Sequence, residues 1–481
     1  MLFNSIEFAF FLPVVFLFYW AIGYAHINET LKLRLQNAFV LIASYIFYGW
    51  WDWRFLLLIA FTSFCSWGSG LLIGKSVASV QSVDGHKKAR FWMIANIVLN
   101  LGILFTFKYY NFFVEEFCQL FPSLEGRAGG VISLILPVGI SFYTFQALSY
   151  SIDVYRGKIE PTKDIIAFFA FISFFPQLVA GPIERATNLL PQFLQNRKFA
   201  YEQGIDGVRQ ILWGLFKKIV VADNCATYVD QVWAAYDTQS GSTLLLAAIL
   251  FTFQIYGDFS GYSDIAIGTA KLFGIKLMRN FNNPYFSRDI AEFWRRWHIS
   301  LTTWFRDYVY IPLGGSRVNK LITMRNTCVV FLLCGLWHGA NWTYMVWGFY
   351  HVVLFMVLIV LNQSKRFKDS VPTARQLPRI MLTFVFVTIG WIIFRAPSLP
   401  DAWGYMYGIC TASLFSIPYG MNNPVLWIGI LMIAIMTGGE WHCRHTEEVP
   451  IPRSIWVYYM MIGLIGWFAV QQTNDFIYFQ F

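Results

Sequence analysis

The chain has 481 residues, of which 57% are hydrophobic, 19% aromatic and only 13% charged. With a mean hydropathy of +0.50, this composition excludes an ordinary soluble globular domain and predicts a protein embedded in a lipid bilayer. The net charge of +9 fits lysines and arginines retained in cytoplasmic loops, so no nucleic-acid partner is expected.

Apolar runs long enough to cross about 30 Å of hydrocarbon as helices recur along the chain. They predict an all-α polytopic membrane protein with 11 to 12 transmembrane or re-entrant helices, forming one integral membrane domain over residues 1–481. The predicted spans are 6–25, 36–51, 55–74, 91–113, 131–152, 165–181, 208–222, 243–273, 326–362, 379–396, 425–441 and 454–471.

The first run has no Lys or Arg before it and no small-residue cleavage site after it, so we expect it to remain as a span.

The seven cysteines are scattered without CxxC spacing, which favours neither a disulfide framework nor a zinc site. His442 and His445 form an HCxH pattern, but a single motif without a partner pair does not predict a metal site.

Charged residues between the predicted spans indicate the orientation. The loop after the first span contains Lys32 and Arg34, whereas the loop after the fourth span is mostly acidic. The positive-inside rule therefore places the N-terminus outside the cytoplasm. The supporting loop residues are Lys75, Lys87, Lys88 and Arg90 on the cytoplasmic side, and Glu115, Glu116, Glu125 and Arg127 on the other.

Two of the predicted spans are interrupted by polar residues and glycines. The 243–273 run contains YGDFSGYSD, and the 326–362 run is about twice the length of one crossing and breaks at HGAN. Broken helices at membrane depth are tolerated only inside protein or along a cavity. Partial or re-entrant segments are also expected near 182–207. KKIVVAD (217–223) is predicted to be an interfacial helix end, and FFPQLVAGPIER (174–185) a kinked helix.

The segment Ser287–Arg325 is rich in arginine and is predicted to be a helix lying along the cytoplasmic face or dipping into it. Wound at 100° per residue, Glu292–Tyr308 places His298 in the middle of an apolar side. Two interpretations remain open: a core imidazole bonded to a backbone carbonyl, with the arginines directed to lipid headgroups, or a functional histidine.

His338 lies near the middle of a predicted hairpin, at a break formed by Gly339 and Asn341. Arg325 and Lys365 flank the hairpin on the cytoplasmic side, which places His338 away from the cytoplasm. Ionisable groups within spans are rare and face a bundle interior or a wet cavity, so a function is expected. The alternative is a turn whose polar groups satisfy the freed backbone. Neutral imidazole, with an ordinary pKa of about 6.5, accepts a proton readily.

Asp258 and Asp264 bracket FSGYS inside an apolar run. At a bilayer centre an unpaired aspartate costs about 2.5 to 3.5 kcal/mol on insertion scales. These carboxylates are therefore expected to be paired or solvated, and both structural pairing and direct contact with a substrate remain open.

Two long motifs carry a resemblance to a known family. NFNNPYFSRDIAEFWRRWHISLTTWFRDYVYIPLGG (280–315), followed by GLWHGANWTYMVWG (335–348), resembles the membrane-bound O-acyltransferase family, and most closely its bacterial alginate O-acetyltransferase branch. Five further stretches occur in the matching order, so the resemblance covers residues from about 1 to 400, with a signature core at about 136–348. They are SYIFYGWWDWRF, LPVGISFYTFQALSYSIDVYRG, FFPQLVAGPI, DFSGYSDIAIG and GWIIFRA.

The resemblance implies a ring of tilted helices around a central funnel in a bacterial cytoplasmic membrane. An acyl donor would reach the funnel from the cytoplasm and an acceptor from outside. The essential histidine of the family falls on His338, which would act as general base, and its second signature position falls on His298, which would orient or polarise the acyl carbonyl. Arg295 and Arg296 would hold donor phosphates. Further substrate-binding candidates are Trp297, Asn341, Asp258 and Asp264.

The expected donor is acetyl-CoA, used as a substrate, with no permanently bound cofactor. The expected acceptor is an alginate-like polysaccharide, reached directly or through an extracytoplasmic acetyltransferase partner protein. Alternatives within the class are peptidoglycan O-acetylation and D-alanyl transfer to teichoic acid. A solute transporter is the rival class, because polar residues in broken helices also mark transport pathways. The two halves of the chain contain no matching pair of interrupted segments, which argues against it.

Overall fold

A computed structural model describes residues 1–78, 83–121, 135–364, 366–368, 370–446 and 448–469. These residues form helices and connecting loops, with no strand among them. Glu125, Arg127 and Lys365, on which the predicted orientation partly rests, lie outside the described residues.

The first ten helices are α1 (Ile6–Tyr24), α2 (Glu29–Gly49), α3 (Arg54–Ala78), α4 (Val83–Lys108), α5 (Tyr110–Leu120), α6 (Ile140–Tyr155), α7 (Ile165–Ser173), α8 (Phe175–Leu178), α9 (Ala186–Phe193) and α10 (Tyr201–Leu215). The second ten are α11 (Asp223–Ala234), α12 (Gly241–Leu272), α13 (Ile290–Arg296), α14 (Ile299–Phe305), α15 (Lys320–His338), α16 (Trp342–Val360), α17 (Leu377–Arg395), α18 (Leu399–Ile409), α19 (Pro424–His442) and α20 (Ile455–Ala469). Two π-helical turns, Phe216–Ala222 and Arg306–Tyr310, continue α10 and α14.

Eight helices in the described part of the chain are long and apolar enough to cross a membrane. They are α1, α3, α4, α12, α15, α16, α17 and α19. The prediction of an all-helical, multi-pass membrane protein is confirmed. Several other predicted spans are shorter or broken: 165–181, for example, divides into α7 and α8 next to Pro176.

The described chain forms two compact units. The first contains residues 1–208 and 266–278. In it α3, α4 and α6 pack against one another, and a buried polar contact, Asn96 Nδ2 to Ser151 Oγ at 2.6 Å, joins α4 to α6. Tyr19 and Trp20 on α1 donate to the carbonyls of Phe273 and Leu272. Such side-chain bonds between apolar helices are a common means of helix association in membranes.

The second unit contains residues 209–265 and 279–481, of which the described part ends at residue 469. Its interior is strongly aromatic, and the large side chains of Trp297, Trp347 and Trp391 are among those fully buried. This unit contains both candidate histidines, both candidate arginines and both candidate aspartates. The candidate site therefore lies within it.

Helix α12 is continuous over 32 residues, and the predicted interruption at YGDFSGYSD is wrong. The glycines there serve helix packing instead of a break. A Cβ at Gly261 would lie 2.7 Å from the Gly214 carbonyl oxygen, and one at Gly214 would lie 2.5 Å from the Gly261 carbonyl oxygen. The two backbones therefore meet at a point where neither residue has room for a side chain.

The predicted hairpin at 326–362 is confirmed. Helix α15 ends at His338, Gly339 is extended, and α16 begins at Trp342 after the N-cap residue Asn341. The two helices pack closely against each other. This break is the turn of the hairpin, and it places His338 at the end of a helix of 19 residues.

The prediction of one amphipathic helix over Glu292–Tyr308 is wrong. Helix α13 ends at Arg296 and α14 begins at Ile299, with Trp297 and His298 between them. Most of both short helices is buried, so this segment does not lie on the surface. The reason is aromatic packing on several sides of the segment: Trp294 contacts Phe331, while Trp297 contacts Trp391.

We predict that Gly261→Leu lowers the stability of the protein, because the new side chain would meet the Gly214 backbone. Overpacking of this kind costs about 1 to 3 kcal/mol. Thermal unfolding of the purified protein in detergent measures the effect. Gly438→Leu is the matched control, since a Cβ there meets nothing within 4 Å; equal melting temperatures for the two variants would contradict the packing role.

Candidate active site

His298 has an unusual backbone conformation at the break between α13 and α14. Its φ of 42° and ψ of 54° lie in the left-handed region, which is unfavourable for a residue with a side chain and costs of order 1 to 3 kcal/mol. Neighbouring backbone bonds hold it there: Ile299 N–H donates to the Asn280 carbonyl at 2.8 Å, and Asn282 N–H donates to the Arg296 carbonyl at 2.9 Å. Strain maintained in this way is typical of functional sites.

The imidazole of His298 is fully buried. Its Nδ1 lies 3.0 Å from Asn280 Oδ1, and its ring lies edge-on to Phe259 with 4.7 Å between centroids. Nε2 is buried and has no hydrogen-bond partner among the described residues. Burial lowers the pKa of His298 to about 3, so this imidazole is neutral at physiological pH.

His338 is 5% exposed and lies in an aromatic cage. Ring centroids of Trp347 and Phe394 each lie 5.1 Å from the imidazole, nearly perpendicular to it. Trp337 contacts both histidines, at 5.0 Å from His338 and 5.8 Å from His298. The two imidazoles are 40 positions apart in the sequence, and the tertiary structure brings both into contact with the same tryptophan, Trp337.

A third histidine, His351 on α16, was not selected from the sequence. It is 1% exposed, accepts a hydrogen bond from Trp294 Nε1 at 3.3 Å and contacts Trp347 at 5.0 Å. Trp347 in turn contacts His338, so His351 belongs to the same aromatic cluster. The signal was available, because an ionisable side chain inside an apolar span suggests function wherever it occurs.

A pocket of about 640 Å³ lies along α13, α14 and the α15–α16 hairpin. One end is basic, with Arg306 and Lys320, and the other is apolar, with Trp294, Phe331 and Cys334. Cys334 is four residues, or about 6 Å of helix, from His338. The pocket therefore leads from a cluster of positive charge towards the aromatic cage.

The two candidate arginines have different surroundings. Arg295 lines the pocket; its Nη1 donates to the Ser364 carbonyl at 3.0 Å, and its Nη2 is buried without a hydrogen-bond partner among the described residues. Arg296 donates through Nε and Nη2 to Glu292 Oε1 and through Nη1 to the Asn282 carbonyl. Arg295 has donor capacity left for a ligand, whereas Arg296 is occupied by protein groups.

Trp297 and Asn341 have structural surroundings. Trp297 is buried against Phe281 and Trp391, with ring centroids at 5.0 and 4.9 Å. Asn341 caps α16 by accepting from Thr343 N–H at 3.0 Å and donates to the Pro397 carbonyl at 3.0 Å. These contacts give Trp297 a packing role and Asn341 a capping role, and their contacts with a substrate stay a prediction.

The two candidate aspartates are paired with lysines. Lys218 Nζ lies 2.9 Å from Asp258 and 2.7 Å from Asp223, and all three side chains are nearly inaccessible. Lys217 Nζ lies 2.5 Å from Asp264, which also accepts from Gln210 at 2.9 Å. The expectation of paired carboxylates is confirmed. The prediction that KKIVVAD is a helix end is wrong, because the chain continues as helix from α10 through the π-helical turn into α11. Both lysines are buried and anchor this turn to α12.

Sequence comparisons show the family of the chain. The model of the MBOAT, membrane-bound O-acyltransferase family matches residues 160–398. A probable alginate O-acetylase of Pseudomonas aeruginosa is 41% identical over 94% of this chain and 83% of its own length. The chain belongs to the membrane-bound O-acyltransferase family. A peptidoglycan O-acetyltransferase of Helicobacter pylori is 34% identical over 85% of this chain and 80% of its length. A teichoic acid D-alanyltransferase of Bacillus subtilis is 29% identical over 54% and 69%.

Membership of this family makes the protein an O-acyltransferase, and the alternative of a solute transporter gains no support. Among the described residues, no group of three or more His, Cys, Asp or Glu side chains is arranged to hold a metal ion. The described side chains at the site supply imidazole, indole and guanidinium groups.

We predict that Lys218→Met destabilises the protein strongly, because it leaves Asp223 and Asp258 buried without their common cation. Removing one partner of a buried ion pair costs about 3 to 5 kcal/mol, and thermal unfolding in detergent measures the loss. The control is Glu29→Gln, which breaks the partly exposed Lys32–Glu29 pair and costs at most about 1 kcal/mol. Similar losses in the two variants would contradict the anchoring role of Lys218.

Proposed function

We propose that this O-acyltransferase transfers an acetyl group from cytoplasmic acetyl-CoA towards a hydroxyl of an extracytoplasmic, alginate-like polysaccharide. The acetyl group reaches the polymer directly or through an extracytoplasmic acetyltransferase partner. The observation that carries this proposal is the pocket, which is lined by Arg306 and Lys320 at a basic end and extends along α15 to Cys334, about one helical turn before His338. The polymer is inferred from two relatives named probable alginate O-acetylase, which match this chain at higher identity and greater coverage than the peptidoglycan and teichoic acid enzymes.

Positive charge supports the orientation. The loop and helix start that form the basic end of the α15–α16 hairpin carry Arg317, Lys320 and Arg325. Positive residues next to spans remain in the cytoplasm, so this end faces the cytoplasm of a bacterial cell and the N-terminus lies outside. His338 is at the other end of α15, about 28 Å along the helix axis. The donor and the acceptor polymer can then approach the same imidazole from opposite sides of the membrane.

The shape of the pocket suits a thioester with a phosphorylated head and a long arm. From Lys320 to Cys334 it follows α15 for 14 residues, about 21 Å at the helical rise. Arg295 and Lys320 would hold the phosphates near the entrance, since cationic side chains bind phosphate with charge-assisted hydrogen bonds. Arg306 lines the same end of the pocket and already donates to Asp307 through Nε and Nη2. The arm would extend along the apolar wall and bring the thioester to the cage.

The chemical step requires a base and a shared site. His338 takes the proton of the acceptor hydroxyl as its oxygen attacks the thioester carbonyl. The carbon–sulfur bond then breaks, and the imidazolium returns the proton to the leaving thiolate. General base catalysis of this kind contributes about 10²- to 10⁴-fold. His298, across Trp337, orients the reacting groups, and the cage of aromatic rings excludes competing water.

We predict that His338→Ala reduces acetyl transfer from labelled acetyl-CoA by about 10²-fold or more, while the protein remains folded in detergent. The assay uses purified protein reconstituted in vesicles, and it measures both the acetylated polymer and the free CoA that form. His445→Ala, at an exposed position, is the control and should keep wild-type activity. Transfer that survives His338→Ala undiminished would overturn the proposed mechanism.

The acceptor is tested in the same assay by offering alginate oligosaccharides, peptidoglycan fragments and teichoic acid in separate reactions. Preferential acetylation of the alginate oligosaccharides, alone or with an added extracytoplasmic acetyltransferase, is the expected outcome. Preferential acetylation of peptidoglycan would reassign the acceptor while leaving the catalytic role of His338 intact.

We predict that Arg295→Gln raises the KM for acetyl-CoA by about 10- to 100-fold with little change in kcat, since a hydrogen bond to a charged group contributes about 1.5 to 3 kcal/mol. Acetyl-pantetheine, which lacks the phosphates, provides the decisive comparison. The wild type should prefer acetyl-CoA strongly, and the variant should lose most of that preference.

Arg366→Gln is the matched control, because Arg366 is basic, exposed and bonded to Gln363 outside the pocket. An unchanged preference for acetyl-CoA in Arg295→Gln, equal to that in the control, would place the donor phosphates elsewhere.

A further inference from the structure

We propose that Asn280 is a positioning residue that holds His298 in a single tautomer, with the proton on Nδ1 and the lone pair on Nε2. The functional consequence rests on the proposed role of His298 in acyl transfer. Asn280 lies 18 residues before His298, in the loop between α12 and α13, and nothing in the sequence pattern singled it out.

The orientation of the Asn280 amide follows from its neighbours. Its Oδ1 faces the backbone N–H of Ser300 at 3.3 Å and the Ser300 hydroxyl at 2.8 Å. A backbone N–H can only donate, so the atom that faces it must be the amide oxygen. On the other side, the Asn280 NH₂ group donates to Ser263 Oγ at 3.1 Å. In this orientation the Asn280 amide oxygen faces donors and its NH₂ group faces an acceptor.

The orientation of Asn280 determines the tautomer of His298. Because Oδ1 is an acceptor without a proton, His298 Nδ1 at 3.0 Å must be the donor. The Ser300 hydroxyl is 3.4 Å from Nδ1 but only 2.8 Å from Oδ1, so it donates to the amide and does not compete for the imidazole. An unprotonated Nδ1 would place two lone pairs against each other in a buried site, an arrangement with no compensating partner.

The loop is fixed in turn by α12. Ser263, which receives the Asn280 amide, lies on α12 one turn after Phe259, whose ring contacts His298. The same helix is anchored through Asp258 to Lys218. Asn280 thus joins His298 to a helix that is itself held by a buried ion pair, so the imidazole has little freedom to rotate or to flip its ring.

This tautomer changes the role expected for His298. A lone pair on Nε2 accepts a hydrogen bond from an N–H or O–H group of a substrate, but it cannot donate one to an acyl carbonyl. Polarisation of the carbonyl by neutral His298 is therefore not available, and orientation of a substrate donor group remains. Nε2 is buried and has no partner among the described residues, as expected for an acceptor reserved for a ligand.

The kinetic test compares Asn280→Ala with Asn280→Asp. The alanine variant removes the acceptor at Nδ1, so kcat should fall by about 10- to 100-fold, the loss typical of a partner that orients a functional histidine. The aspartate variant keeps an acceptor oxygen for Nδ1–H and should recover most of the lost rate. Asn326→Ala is the matched control: Asn326 is also fully buried, and its amide donates to the Leu313 and Gly315 carbonyls at 3.1 Å each.

A spectroscopic test does not depend on activity. Nitrogen-15 NMR of the full chain labelled only at its seven histidines distinguishes the two neutral tautomers, and the signals of His298 are assigned by their loss in His298→Gln. We expect Nδ1–H in the wild type, in Ser300→Ala, which keeps the backbone donor, and in Asn326→Ala. We expect a mixture of tautomers in Asn280→Ala.

The outcomes separate this inference from the proposed function. Nε2–H in the wild type, or an unchanged His298 spectrum and kcat in Asn280→Ala, would overturn the role of Asn280. Equal losses of kcat in the alanine and aspartate variants would do the same. If Asn280→Ala does not fold, the wild-type and Ser300→Ala spectra still decide the tautomer. An Nδ1–H signal in a protein that does not consume acetyl-CoA would support the inference while refuting the proposed donor.

Discussion

The cost of burying a polar group in an apolar interior is the constraint on which the rest of this structure depends. The interior of the second unit is rich in aromatic side chains, yet it encloses two lysines, two aspartates and three histidines. Lys217 pairs with the partly buried Asp264 and Lys218 with Asp258, and these two pairs hold the π-helical turn against α12. Without these pairs the desolvation cost of the charges would exceed the gain from packing, so the position of α12 is tied to its electrostatics.

The same constraint determines how the two imidazoles of the candidate site are held. Helix α12 presents Phe259 and Ser263 towards the loop that carries Asn280, and that loop fixes His298. His338 is held by a different element, the α15–α16 hairpin, where aromatic rings surround its imidazole. Trp337 contacts both His298 and His338. A site assembled in this way holds its imidazoles in fixed directions before any substrate arrives, and such preorganisation lowers the cost of orientation during the reaction.

The pocket and the hairpin give the proposed reaction a direction. The basic end of the pocket and His338 are separated by most of the length of α15, which is close to the thickness of the hydrocarbon layer. In the proposed reaction, a donor held by its phosphates at one face would deliver its acyl group near the opposite face. Neither reactant would then have to cross the membrane completely, and only the acyl group would be transferred.

The sequence by itself determined the membrane class, most of the long spans, the hairpin around His338 and the need for partners at Asp258 and Asp264, because these follow from hydropathy and from the cost of isolated charge. It also marked His298 and His338 as residues of interest. Predictions from the local sequence pattern were wrong where contacts with distant residues determine the structure of a segment. Aromatic side chains of α15 and α17 pack at His298, where the predicted helix is broken. In α12 the glycines suggested a break, but they provide a close contact with α10 and the helix is continuous. The tertiary structure alone decided that Arg295 lines a pocket while Arg296 is bound to Glu292, and that Asn280 faces His298. Those relations depend on side-chain directions and on contacts between distant segments, which a periodicity along the chain does not record.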